Sequence, residues 1–495
     1  MVDRTPAQWR DYLLGKLPAR QHANARLRRY YQGDHVLPTA PDRTTEAYKR
    51  LAELGVTNMC GLIVDTVVER LQPKGVRLSA TADADLDVWR TVWQANGLDA
   101  EIPVGFEEAL KVGICPMLIW PVLDANGKQV DGKVSWTIED PDETIVVYAP
   151  GSRRERLAAL KSYRDADDGA EYATVWTPTL VESWTREKAD GVWLRVEARS
   201  GSNPLGVVPV LELVTKRDVK GNPSPEISTS VIRLQDRINK TMFDCVVGAE
   251  EGAFPQRYTI GIEIEEDDEG NPVNPLETGP KKTWALDAQE GQESTAKIGQ
   301  LEAFDVTRLI QLAETSIKQL AAVSKTSVFY VLAGLTNVGA DTIRMADAAA
   351  AGKTRGHQTR FGGVLEDGFA LALRALGRED IPDDIEIDWA PIEVRSPAEI
   401  ADAAIKMSQA GYPFAAIARY TGATQSEIER IETERVAEMA AADGLDEIAT
   451  AVQKLYLGVG KVISSDEARS IISSMGYSLP GSLPPSTAAP EPVPV

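Results

Sequence analysis

The stretch STSVIRLQDRINKTMFDCVVGAEEG, Ser228–Gly252, decides how the chain is read. Ile227, Val231, Leu234, Ile238, Met242, Val246 and Ala249 step by three or four, which sets them along one stripe of a helix. Arg233, Arg237, Asn239, Lys240 and Asp244 take the opposite face. At about 1.5 Å rise per residue this is a rod roughly 37 Å long. A second helix is predicted over Ser294–Ser324, with Ile298, Leu301, Phe304, Ile310, Ala313, Ile317 and Leu320 as a looser stripe. Glu302, Arg308, Glu314 and Lys318 oppose it. Between the two, residues 254–293 join a strand-prone run, Tyr258–Ile264, to the acidic turn Glu265-Glu266-Asp267-Asp268-Glu269-Gly270 and several prolines. Two rods and a polar insert predict a hairpin projecting from a body, although periodicity alone equally fits a hairpin packed inside a core.

Upstream, residues 6–17 and 19–32 read as helices, the second stopping at Gly33. Asn58 caps a helix to about Leu71, and Asp85–Ala95 and Glu101–Lys111 follow. From Gly113 the period becomes that of strands: Ile114–Leu123, Val134–Ile138, Ile145–Tyr148, Tyr172–Thr177, Val181–Thr185, Val192–Ala198 and Leu211–Val214. Asn126-Gly127 supplies the positive φ values that turn the first hairpin. Residues 1–225 therefore read as an α+β body. Downstream come a loop at Ser327–Ala340, a helix at 341–376 and a strand at Ile385–Trp389. Ser396-Pro397-Ala398-Glu399 is a capping box opening further helices, among them Thr424–Met439 and Ser465–Met475. Pro480–Val495 has six prolines in sixteen residues and is expected to be disordered.

The chain has 495 residues, enough for about two to four domains. Its formal net charge of −21 argues against gripping nucleic acid over a broad surface, because phosphate neutralisation drives such binding. An acidic wall does suit a passage along which DNA must not stick. Cys60, Cys115 and Cys245 are scattered, suggesting neither disulfides nor a zinc cluster. Without an apolar leader, and with prolines in the longest apolar run, Gly113–Leu123, an intracellular chain that spans no membrane is expected.

Catalytic patterns fail on inspection. Ala351-Gly352-Lys353-Thr354 resembles the end of a phosphate loop, but Asp347 stands where its first glycine belongs, and the context is helical. Asp83, Asp85 and Asp87 open like a calcium loop, yet Val88 and Gln94 replace its glycine and glutamate. His22, His35 and His357 are far apart, and no GxSxG elbow occurs. No catalytic, cofactor-binding or metal-ligating residue is assigned. Two rivals stay open: a nucleic-acid hydrolase using clustered carboxylates and a metal, and another structural virion component such as a minor head protein.

The order of several short motifs resembles the portal proteins of tailed bacteriophages, of the group common in phages of actinobacteria. The resemblance is carried by Tyr30-Tyr31-Gln32-Gly33-Asp34-His35, Thr57-Asn58 with Ile63-Val64-Asp65, and Trp93 to Asp99. It continues through Ala109 to Gly113, Asn203-Pro204-Leu205-Gly206, Ser228 to Asn239, Trp389, and Ser396 to Ala403. It implies a virion protein, assembled in the host cytoplasm, that forms a ring of twelve subunits at one capsid vertex. Such a ring conducts double-stranded DNA without sequence specificity. The partners implied are terminase, the head–tail connector, the major capsid protein and scaffold, with no cofactor and no membrane.

Carried onto this chain, 1–225 would be the wing, 226–253 and 294–324 the stem, and 254–293 the clip. Residues 325–340 would be the channel loop, 341–378 the kinked helix behind it, and 379–479 a C-terminal wing or crown region. Ser327, Thr336, Asn337 and Gly339 are the candidates for facing DNA, although Phe329 to Leu332 make that loop's first half apolar. Arg233, Arg237, Lys240, Arg308, Lys318 and Lys325 would touch phosphates or pair with a neighbouring subunit. Val231, Leu234, Ile238, Met242, Leu301, Ile317 and Leu320 would pack the stem. Arg257, Tyr258, Glu265, Glu266, Asp267 and Asp268 would dock partners at the clip. On this reading Leu234→Asp or Ile238→Asp should stop association while the wing stays folded.

Overall fold

The computed structural model describes residues 4–37, 46–78, 85, 87–124, 129–188, 190–253, 257–260, 297–300, 305–327, 340–393, 397–424, 426–428, 430–431 and 433–435. The fold mixes helix and sheet in two units, residues 1–397 and 398–495. The predicted turn at Asn126-Gly127, the helix Ser465–Met475 and the tail Pro480–Val495 lie outside the described residues.

In the first unit, α1 (Pro6–Leu14) starts with a reciprocal cap. The Gln8 N–H donates to Thr5 Oγ1 at 3.3 Å and the Thr5 N–H to Gln8 Oε1 at 2.9 Å. α2 (Leu17–Gln32) stops at Gly33, whose φ of 84° is open to glycine. α3 (Glu46–Leu54) precedes α4 (Met59–Val68), whose Gly61 N–H donates to Asn58 Oδ1 at 3.1 Å. The apolar stretch Tyr48–Val68 is long enough by composition to cross a membrane, but it is broken between α3 and α4, and Ile63, Val64 and Val67 are buried. Of the α-helix expected over Asp85–Ala95, residues 85, 87 and 88 are α-helical, but Trp89–Trp93 is a π-helical turn and Gln94–Asn96 a 3₁₀ turn, closed by Gly97. α5 (Leu98–Val112) follows.

Strand alternation then builds layers. β1 (Pro73–Leu78) pairs antiparallel with β13 (Ile385–Trp389), bringing the late strand back to the body. β2 (Ile114–Leu123) and β3 (Gln129–Ile138) form the predicted hairpin, and β10 (Val210–Val214) joins β2 from the other side. The larger sheet runs β4 (Thr144–Tyr148), β5 (Arg156–Arg164), β6 (Glu171–Trp176), β7 (Leu180–Arg186) and β8 (Leu194–Arg195), with β9 (Gly201–Ser202) also on β7. The strand expected over Val192–Ala198 keeps only two residues before Glu197–Arg199 turns into 3₁₀ geometry.

Successive side chains in these strands take opposite faces. In β2 and β10, Met117, Ile119, Leu211 and Leu213 enter the main core, whereas Leu118 and Val210 turn to the larger sheet. In β4 and β5, Val146 and Ala159 meet that same interface, while Ile145, Ala158 and Leu160 face Trp9 and Leu13 of α1. The order of layers is thus helices, small sheet, large sheet, α1. Trp89, Trp93, Trp136 and Trp176 are buried as expected of core residues, with Trp120 partly so.

α6 (Thr229–Ala253) is the predicted long helix. After β11 (Arg257–Ile260) and β12 (Lys297–Gln300) comes α7 (Thr307–Ser324), then α8 (Ala340–Ala375). The helix expected from Ser294 begins only at Thr307. Lys297–Gln300 instead pairs with Arg257–Ile260, Gly299 sitting opposite Tyr258, and Asp305 Oδ1 accepts the Thr307 N–H at 3.0 Å. Glycine weakens a helix interior by about 1 kcal/mol, and the turn that Asp305 makes with Thr307 leads the chain into the helix only there. α8 packs on β13, β10 and β2, with Phe361 stacked on Phe106 of α5 at 4.9 Å. Gly368 is required there: a Cβ would stand 2.3 Å from the Trp136 ring.

The second unit contains α9 (Pro397–Gln409), with Pro397 at its start, and α10 (Phe414–Tyr420). Thr424 and Glu427 cap the next helical residues, the Thr424 N–H donating to Glu427 Oε2 at 2.8 Å.

Candidate functional site

The long helix is seated on the body by polar groups as much as by its apolar stripe. Gln235 and Asn239, one turn apart on α6, are fully buried. Gln235 Oε1 accepts the Met59 N–H at 2.9 Å, and its amide donates to Thr57 O at 2.5 Å and Asn239 Oδ1 at 2.9 Å. Asn239 Oδ1 also accepts the Thr57 N–H at 3.2 Å. The Asn239 amide donates to His35 Nδ1 at 2.9 Å, so the ring's other nitrogen carries the proton and donates to Tyr30 O at 3.0 Å. Tyr30 donates to Asp236 Oδ1 at 2.7 Å; burial, then that bond, pushes its phenol up to about 12. Asn239, read from periodicity as part of an outer face, is therefore an inner anchor. Gly55 lets α6 close in, since a Cβ there would lie 2.8 Å from the Phe243 backbone.

α7 packs along α6. Val231, Ile238 and Leu320 are buried in the chain's own core, with Leu234, Met242 and Ile317 packed against it. Ile238→Asp would consequently strike the fold before any association, contrary to the expectation from periodicity. Leu301 lies outside the described residues. The stripe of α6 was legible, but its partner was not: a helical period does not say whether the covering surface belongs to the same chain.

The cationic candidates divide. Arg237 donates to Gln319 Oε1 across the pair, Lys240 pairs with Asp244, and Arg308 lies 3.7 Å from Asp305. Arg233, Lys318 and Lys325 are exposed and have no ion pair among the described residues. Ser327 is buried, so it is not presented to solvent. Thr336, Asn337, Gly339, Glu265, Glu266, Asp267 and Asp268 lie outside the described residues. Arg257 and Tyr258 stand on β11, opposite Gln300 and Gly299.

Beneath the pair lies a joint that motif reading passed over. Lys353, flagged by a failed phosphate loop, sits within α8 and donates to Glu226 Oε2 at 3.2 Å and to Ser324 O at 2.9 Å. His357, one turn on, donates from Nε2 to Glu226 Oε1 at 3.0 Å, and Arg360 donates to its Nδ1 at 3.3 Å. Burial alone would raise the Glu226 carboxyl; the His357 bond and the Lys353 charge outweigh it and hold the group at about 2. Burial pulls the Lys353 ammonium and the His357 imidazole below their ordinary ranges, with Glu226 opposing in both. Among the described residues no group of three His, Cys, Asp or Glu is arranged to hold a metal ion.

A layered α+β body thus roots a long helix, with a second helix laid against it and a third returning beneath both. The chain belongs to the family described as phage portal protein, SPP1 Gp6-like, whose model matches residues 12–440. It is 29% identical over 362 residues to the portal protein of Mycobacterium phage D29, covering 70% of this chain and 71% of that one. To the portal protein of Mycobacterium phage L5 it is 29% identical over 374 residues, covering 73% and 74%. A solved structure described as the neck of a native GTA particle computed with C12 symmetry aligns with a TM-score of 0.41 at 13% identity, over 79% of this chain and 97% of that one. Members of the portal family are structural components of the phage particle and not enzymes.

Proposed function

We propose that the chain closes into a ring, with twelve copies, at one vertex of the capsid, and that DNA passes through its centre during packaging and ejection. The observation that carries this is the surface α7 leaves open. Ala313, Ser316 and Leu320 face inward, yet Ile310, Leu312 and Val323 remain about half exposed, at 49%, 47% and 52%. At about 100° per residue, Leu312 and Val323 share one flank of the buried face and Ile310 lies on the other. Two apolar flanks on one helix suit head-to-tail contact with a neighbour on each side, which closes a ring.

In this reading residues 1–225 are the wing, 226–253 and 307–324 the stem, and the β11–β12 ribbon with the residues between is the clip. The clip docks terminase and then the head–tail connector, while scaffold and major capsid protein meet the wing. Residues 325–340 lie toward the channel, 341–378 behind it, and the C-terminal residues form the crown. The charge of −21 per copy keeps a polyanion from adhering to the wall. Negative-stain imaging of the purified protein tests the proposal: rings with a central hole are expected, and a monomer at every concentration refutes it.

A further inference from the structure

Three elements meet at one largely buried carboxylate. Glu226 stands just ahead of α6, Lys353 and His357 come from α8, and Lys353 reaches on to the carbonyl of Ser324, the last residue of α7. That carbonyl is among the four at a helix end that lack an intrahelical partner. The helix stops there because Lys325 takes φ 53°, the one non-glycine residue in the left-handed region among the described residues. Holding a side chain there strains the backbone. The turn is secured by the Thr326 N–H donating to Ala321 O at 3.0 Å. One ammonium therefore ties the point where the chain leaves α7 to the point where α6 begins.

We propose that Lys353 is a positioning residue of the conduit: by bridging Glu226 and Ser324 it sets where the chain departs from the helix pair, and passage of DNA depends on that placement while ring assembly does not. The inference rests on the portal reading above. Its physical ground is that a buried ammonium is costly unless fully paired, and an apolar side chain of similar length would pack at least as well. Packing therefore does not account for a lysine here. What it adds is direction, since its bonds go to two elements other than its own.

The test uses the full chain, complementing a phage whose own copy is interrupted. E226Q/K353M removes both charges together and leaves no buried unpaired ion; K353R keeps a cation. The double variant should form rings at wild-type yield while DNA-filled heads fall about tenfold or more, the scale of losing a charge-assisted hydrogen bond. K353R should recover most of the filling. Wild-type filling by the double variant overturns the proposal, and so does loss of its rings, which would make the residue structural. If the wild-type chain itself forms no ring, the portal reading fails instead, and the two failures are distinguishable.

Discussion

The body and the helix pair share one apolar core but differ in how much polar anchoring they add to it. In the body, Phe106 lies on Phe361 at 4.9 Å, Trp93 stacks with Phe369 at 6.2 Å, and layers of alternating side chains close on one another. The pair is held at its root by amides and charges, Gln235, Asn239, Glu226 and Lys353, and leaves apolar residues of α7 uncovered. Apolar packing is indifferent to direction, so it suits a part that must only be compact. Hydrogen bonds and ion pairs are directional, so they suit a part that must stand at one angle. The body is complete as a single chain, whereas on the proposed reading the pair is completed by another copy.

That contrast breaks most readily in the body. Phe106→Ala should cost about 3–5 kcal/mol, the usual range for deleting a fully buried aromatic ring. Denaturant unfolding of the isolated chain measures it, and a cost below 1 kcal/mol would mean that this core is not the one sustaining the fold.

Acid should act next, and on the joint. Glu226 is held at about 2 against an ordinary value near 4.5, so its contribution is present above 4.5 and lost as pH falls toward 2. A difference of that size is worth up to about 3 kcal/mol. His357 is likewise held below its ordinary value, so the folded state favours the neutral ring, and stability begins to fall as pH drops through about 6.5. Both groups weaken the joint in the same direction. Thermal melts from pH 7 to 3 should fall less steeply in E226Q than in the parent chain; parallel curves would remove the joint from the account.

Asn239→Ala comes third. It leaves the Thr57 N–H without its acceptor and His35 Nδ1 without its donor, at about 1–3 kcal/mol. Hydrogen exchange should rise at 57–60 while the sheets stay protected; uniform loss of protection would show that helix and body unfold together. Smallest for folding and largest for assembly is L312D/V323D. Exposed positions tolerate such changes within about 0.5 kcal/mol, yet rings should disappear. Rings that survive would place the subunit contact elsewhere.

Much of this architecture was legible in the residues. The 3.6 period of Val231 to Val246, the Gly33 stop, the Asn58 cap and the alternation of β2 and β10 all appear where the sequence places them. β5 was missed because Ala158-Ala159 carries little strand preference and its apolar residues serve both faces. The second rod was read too long because apolar spacing continues through Ile298 into a segment that β11 recruits as a strand. Lys353 drew notice only through a phosphate motif it does not fulfil, and its partner Glu226 lies 127 residues away.

By itself the sequence determined the local periods, the caps and the portal family, because these depend on neighbours a few residues apart or on motifs kept in order. Only the tertiary structure decided which apolar residues are consumed in the chain's own core and which stay exposed. It alone turned Asn239 inward and gathered Glu226, Ser324 and Lys353 at one point, since such choices depend on contacts between residues far apart in the chain, where no spacing rule reaches.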